Sequence, residues 1–166
     1  MDAAVARLLM EETHSKAAEA IDKSFGTGAH LVTSALTTML IREVLAKFGL
    51  PLRIIACRAK VVMSDENGEQ PVATDDDHLV MVGSGFYFAP LLGRMGGARS
   101  APGRNVFVAG RFPGPHQADA PFRARHGDLI VTFSPKEDQV SWLYSSDADP
   151  KRVGPLVRQI IAAIAA

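Results

Sequence analysis

The stretch "TSALTTMLIREVLAKFGLPLRIIACRAKVV", Thr33 to Val62, changes its hydrophobic period partway along. Leu36, Leu40, Val44 and Phe48 recur at every fourth residue, and Met39 and Leu45 widen that face, so the spacing predicts a helix over residues 32–48. Thr33 or a neighbour caps its start, and Gly49 followed by Pro51 stops it. From Leu52 to Met63 the period falls to two. Ile55, Cys57, Ala59, Val61 and Met63 then share one face of a strand, with Arg58 and Lys60 on the other.

Upstream, residues 2–22 read as a first helix whose apolar stripe is Val5, Leu8, Leu9 and Ile21, and "SFGTGAH" breaks it. Downstream, "SDENGEQ" reads as a polar turn or loop, and His78–Pro90 as a hairpin turning at Gly83-Ser84-Gly85. Residues 93–104, with four glycines, one proline and three arginines, read as a loop. A strand is expected in 105–112 and irregular chain in 113–121. A second hairpin is expected over 128–145 about "PKED". From about Pro150 a last helix buries Val153, Leu156, Val157, Ile160, Ile161 and Ile164. Helices, then strands, then a helix argue for an α+β fold with helices packed on a mainly antiparallel sheet. No repeat or linker divides the 166 residues, so a single domain is expected.

Composition narrows the function classes. Hydrophobic residues make up 47% and charged residues 22%, as in an ordinary globular protein. Acids and bases balance at 18 each, and no basic patch interleaved with aromatics points to nucleic acid. One cysteine excludes an internal disulfide framework and a cysteine-rich zinc site. The start "MDAAVARLLMEETHS" lacks a signal-peptide pattern, and the tail "IIAAIAA" is too short to span a bilayer, so no membrane partner and a cytoplasmic location are expected. Neutral net charge is compatible with a homo-oligomer.

The order of elements suits one kind of chemistry. A nucleophile at a helix N-terminus gains from the unpaired amides and the helix dipole, a histidine takes its proton, and an acid or amide orients that histidine. Ser34 occupies the first place and His78, preceded by Asp75-Asp76-Asp77, the second. Pairing Val82 with Phe86 sets Val80 against Phe88 and His78 against Pro90. The orienting acid is therefore expected near 88–90, where Phe88, Ala89 and Pro90 offer no acceptor side chain.

The string "SALTTMLIREVLAKFGLPLRIIACRAKVVM", followed by "DDHLVMV" and "FYFAPLL" and closing on "WLYSSDADPKRVGPLVRQII", resembles bacterial proteins with a papain-like, arylamine N-acetyltransferase-like or transglutaminase-like core. The resemblance covers roughly Thr33 to Pro90, with a weaker match at the C-terminal helix. It implies a cleft between the helix opening near Ser34 and the sheet carrying His78. The family's cysteine falls on Ser34, its histidine on His78, and its aspartate on or beside Ala89. Two of the three positions therefore depart from the Cys-His-Asp triad. The resemblance then implies a diverged protein without the standard triad that binds a small-molecule or peptide ligand or regulates a partner. One alternative is an acyl hydrolase or acyltransferase with Ser34 as nucleophile, His78 as base and an acid from Asp75 to Asp77, or from elsewhere in the chain, as orienter. Another is a structural subunit of a bacterial or phage assembly.

Each candidate also has a plainer structural reading. Ser34 serves as a helix cap, His78 as a solvated turn residue, and Cys57 as a core thiol of raised pKa. His30, His78, His116 and His126 lack metal-ligand spacing, so no metal is expected. Asp75–Asp77 reads as a solvated acidic turn or a cation site. "GRMGGAR" matches no phosphate loop and reads as a flexible loop, with a lid over a cleft beside His78 or a partner-docking loop as the alternatives. Trp142 and Tyr144 read as core residues on a strand. No cofactor is implied, since acyl transfer through a covalent intermediate needs none.

Overall fold

The computed structural model describes residues 1–29, 34–90, 107–112, 114, 120–136 and 150–166. Among these, three helices pack against a six-stranded antiparallel sheet that curls into a nearly closed barrel. The helices are α1 (Ala3–Phe25), α2 (Ser34–Lys47) and α3 (Pro150–Ala165). The strands are β1 (Arg53–Asp65), β2 (Gly68–Gly83), β3 (Phe86–Ala89), β4 (Val108–Arg111), β5 (Phe122–His126) and β6 (Leu129–Pro135). Their order is β4-β3-β2-β1-β6-β5, and β4 and β5 approach one another across the remaining seam. The expected α+β class with a mainly antiparallel sheet is observed.

Alternation along the strands divides the interior into two cores. Ile54 of β1, Leu79 and Met81 of β2, Phe86 and Phe88 of β3 and Ala109 of β4 face the helices. Cys57, Ala59, Val61, Val80, Val82, Ala89, Val108, Ala124, Val131 and Phe133 fill the barrel. Tyr87, Phe112 and Phe122 close the seam: Tyr87 to Phe112 is 5.2 Å between ring centroids, Phe112 to Phe122 5.1 Å, and Phe122 to Phe133 5.1 Å. Each such ring pair adds roughly 0.5–1.5 kcal/mol beyond the apolar area it buries.

α2 is the central helix. It touches α1, α3, β1 and β2, and residues 36–41 are buried without a break. The predicted face of Leu36, Leu40, Val44, Met39 and Leu45 is inside, and Phe48 packs at its margin. α3 buries Val153, Leu156, Val157 and Ile160 as expected, with Ile161 and Ile164 against the rim of that core. α1 differs from its predicted stripe. Its buried face is Ala6, Met10, Thr13, His14, Ala17, Ala18, Ala20 and Ile21, whereas Val5 and Leu8 are 54% and 66% exposed. The alanines let α1 approach α2 and α3 closely, and that approach sets the helix's rotation against the pull of its larger apolar residues.

The β1–β2 hairpin is longer than the sequence indicates. "SDENGEQ" holds the expected polar turn, but only two residues of it, Glu66-Asn67, with the strands continuing to Asp65 and from Gly68. β2 therefore starts ten residues before His78. Its polar first half is half-buried or exposed and is held by its ladder to β1, and Pro71 is tolerated there because β3 pairs only with 81–83. The second turn is also tighter than expected. Gly83 pairs with Phe86, Val82 with Tyr87 and Met81 with Phe88, one residue out of the predicted register. Ser84 and Gly85 adopt φ 53° and 82°, the positive values of a two-residue hairpin turn whose twist suits the flanking strands.

The first strand of the expected 128–145 hairpin is observed as β6, and residues 137–145 lie outside the described residues. β6 is flanked by β1 on one side and β5 on the other, the latter through a turn at Gly127-Asp128. Both edges of residues 129–133 are thus taken. The short strand at 122–126 is an element the sequence reading did not contain. The 105–112 strand is observed as 108–111. The loop at 93–104, most of 113–121, Trp142, Tyr144, His30 and His116 lie outside the described residues.

Gly83 joins the hairpin to the α2–β1 junction. A Cβ there would lie 2.8 Å from the Pro51 carbonyl oxygen and 3.3 Å from the Leu52 Cα, both backbone atoms, and the residue holds φ 156°. Gly83→Ala is expected to lower stability by about 2 kcal/mol through overpacking, measured by urea denaturation. A loss below about 0.5 kcal/mol, the range of an ordinary surface change, would show that this junction yields.

Candidate functional site

His78 lies in mid-strand and is 5% exposed, so it is not a solvated turn residue. It is directly opposite Cys57, on the same side of β2 as Val80 and Val82, and its ring stacks on Phe133 at 5.9 Å with an interplanar angle of 28°. All of these groups belong to the barrel side of the sheet.

Its neighbour is supplied by a bulge. Cys57 pairs with His78, but Ala59 pairs with Asp75, so Arg58 alone faces the two residues Asp76 and Asp77. Residues three apart on a regular strand point to opposite faces; the extra residue brings Asp75 and His78 back to one side. His78 Nδ1 lies 3.2 Å from Asp75 Oδ2. His78 Nε2 is buried and has no hydrogen-bond partner among the described residues. An imidazole with one nitrogen on a carboxylate and the other open is the arrangement of a base and its orienter. Sequence reasoning had Asp75 as one of three interchangeable acids; only the bulge singles it out.

The rest of the acidic run is neutralised locally. Arg58 Nε donates to Asp76 Oδ1 at 3.0 Å, and Lys136 Nζ donates to Asp77 Oδ1 at 2.8 Å and to the Asp76 carbonyl at 2.9 Å. The Asp77 amide donates to Asp75 Oδ1 at 3.1 Å. These pairs are largely exposed and contribute roughly 0–1 kcal/mol each. Their effect is to occupy the carboxylates, and no group of three His, Cys, Asp or Glu side chains could hold a metal ion among the described residues.

Ser34 opens α2, which packs on the face of β2 that carries Leu79 and Met81. The structure thus sets the helix of Ser34 against one side of the sheet and the His78 imidazole on the other. The described strand segment at Phe88 and Ala89 buries both side chains, Phe88 toward the helices and Ala89 in the barrel, and neither can orient a histidine. His126 lies in β5.

Cys57 is the nucleophilic side chain in register with His78, and it is fully buried. Desolvation pushes its thiol up from an ordinary 9.0 to about 12. Proximity to a histidine does not make this thiol reactive, because burial removes the solvent that would stabilise the thiolate.

Comparison with protein-family models, with curated proteins and with solved structures gave no match to this chain. No helix among the described residues is long and apolar enough to cross a membrane.

Burial of Cys57 has a measurable pH signature. Its folded pKa lies above the unfolded one, so the stability it contributes is complete below pH 9.0 and is lost as pH rises toward about 12. Cys57→Ala is expected to show a shallower fall of Tm above pH 9.0 than the unsubstituted chain. In the folded unsubstituted chain, iodoacetamide is expected to label Cys57 at neutral pH only after denaturant is added. Equal slopes, or rapid native labelling, would mean that the thiol reaches solvent.

Proposed function

We propose that this chain is a diverged member of the papain-like, arylamine N-acetyltransferase-like group that no longer carries a working Cys-His-Asp triad and acts as a binding or regulatory protein. The supporting order of elements is a helix opening at Ser34, a tight stop at Gly49, a strand and then the strand of His78, with helices on an antiparallel sheet. The single observation that carries the non-catalytic reading is the direction of His78. Its ring stacks on Phe133 inside the barrel, whereas α2 covers the opposite face of the same strand. A serine hydroxyl needs a base within hydrogen-bond reach to become a nucleophile.

One observation favours the alternative, an acyl hydrolase or acyltransferase. His78 and Asp75 form a base–orienter pair at 3.2 Å, and the outer nitrogen of His78 is unpartnered among the described residues. In that reading Asp75 replaces the acid missing at Ala89, and Ser34 attacks the acyl carbon while His78 takes its proton.

The two readings separate in Ser34→Cys placed in a Cys57→Ala background, with and without His78→Gln, by following the alkylation rate against pH. A helix N-terminus by itself lowers a thiol pKa below about 8.5, so the comparison between the two variants is the decisive quantity. The same apparent pKa with and without His78 is expected. A pKa that rises by about one unit or more on removing His78 would show a thiolate–imidazolium pair and establish the catalytic reading instead.

A further inference from the structure

A half-open cavity of about 260 Å³ lies between the first turns of α1 and the β3–β4 edge. Ala3, Ala4, Met10, Phe86 and Gly110 give it an apolar floor, and Arg7 and Arg111 stand at its wall. It is on the helix side of the sheet, away from His78: Phe86 and Arg111 are cross-strand partners, and Phe86 belongs to the helix-facing core.

Two arginines line this cavity, and no carboxylate does among the described residues. Arg7 donates to the backbone carbonyl of Ala109 through one long bond of 3.4 Å, which anchors one end of a guanidinium that carries further donors. Arg111 is paired with Phe86 through the ladder, and its side chain makes no hydrogen bond or ion pair among the described residues. Elsewhere on the sheet Arg58 pairs with Asp76, Arg123 with Glu69 and Lys136 with Asp77. Asp2 Oδ1 accepts from the amides of Ala4 and Val5 as the α1 cap, at 2.9 and 3.4 Å. The positive charge of Arg7 also reaches the Tyr87 phenol, where it opposes the rise in pKa that burial imposes.

The space has a residue-level cause. Alanine at positions 3 and 4 leaves room that any larger side chain would occupy. An uncharged hollow of this size would be a packing defect. With two guanidinium groups beside a methionine and a phenyl ring, it has the composition of a ligand site, apolar with a few convergent polar groups. Its volume is just under the roughly 300 Å³ at which sites for drug-sized ligands begin, so the occupant is small.

We propose that this cavity binds a small organic monoanion, a carboxylate on a compact aryl or branched hydrocarbon body, with Arg7 and Arg111 on the carboxylate and Met10 and Phe86 under the apolar part. Guanidinium groups suit a carboxylate because their paired donors match its two oxygens. The site is independent of the triad reading, and its failure would leave that reading untouched.

Benzoate is the probe, followed by amide chemical shifts in the ¹⁵N-labelled full chain at low and constant ionic strength. Saturable shifts at Ala4, Arg7, Met10, Gly110 and Arg111 are expected, with Kd of about 1 mM or below. Arg7→Gln and Arg111→Gln are each expected to weaken binding about tenfold or more, the loss of a hydrogen bond to a charged partner. Ala4→Phe fills the hollow, keeps both arginines and is expected to abolish saturation. Unchanged shifts in the remainder of the spectrum report that each variant is folded, and either the arginine pair or Ala4→Phe suffices should another variant unfold. Benzamide has the same shape without the charge and is not expected to saturate. Inorganic phosphate has charge without an apolar body and is expected to bind at least tenfold more weakly than benzoate, by loss of that buried ring. The proposal is overturned if benzoate gives no saturable shifts, if benzamide or phosphate matches it, or if Arg111→Gln and Ala4→Phe leave its Kd unchanged.

Discussion

The pairing of β1 with β2 is the constraint from which the other features follow. It is the longest ladder in the sheet, running from Arg53↔Val82 to Asp65↔Gly68, and it assigns each side chain of two long strands to one face or the other. Side chains alternate with a period of two, so a slip of one residue would exchange the helix-facing set, Leu79 and Met81, for the barrel-facing set, Val80 and Val82. Both sets are apolar and both are buried, so hydrophobicity alone is nearly indifferent to that exchange. The choice is made by the two-residue turn at Glu66-Asn67, which joins the two strands, and by the close approach of Gly83 to Pro51.

Given that register, two cores form around one sheet. The helices cover one face with leucine, isoleucine, methionine and alanine, and the barrel closes over the other with small aliphatics and a chain of aromatic rings. A Phe133 or Phe88 buried completely contributes on the order of 1.5–3 kcal/mol. The rings do more than fill space: Tyr87, Phe112 and Phe122 come from chain segments on both sides of the seam, so they hold the ends of the curled sheet together where the strands exchange few contacts.

The bulge at Arg58 turns the same ladder into chemistry. Without the additional residue, Asp75 would point away from His78, and a nearly buried imidazole would sit in an apolar barrel with neither nitrogen satisfied. With it, one nitrogen has its carboxylate and the other remains open beside a thiol that burial holds protonated. A base, an orienter and a thiol thus stand together without forming a reactive set, because desolvation removes the thiolate and the sheet separates the imidazole from the face on which α2 lies. Type and proximity of residues do not make an active site; the face on which each one stands and its access to solvent decide that.

The sequence by itself determined the elements with strong periodicity. α2, α3 and the alternating centre of β1 were legible because apolar spacing reports directly which side of an element is buried. So were the α+β class and the core position of Cys57. Weakly patterned segments were not legible. The acidic, proline-containing stretch before His78 lacks strand propensity and is held as a strand only by its partner β1. The exposed Val5 and Leu8 misstate the rotation of α1, which its alanines set. Ser34 and His78 were both found as candidates, but their relation depends on which face of β2 the helix α2 covers, and Asp75 reaches His78 only through a bulge whose position no residue type announces. Local pattern measures how one segment meets its surroundings; which segment forms those surroundings, and on which face, is a non-local choice that only the folded sheet makes.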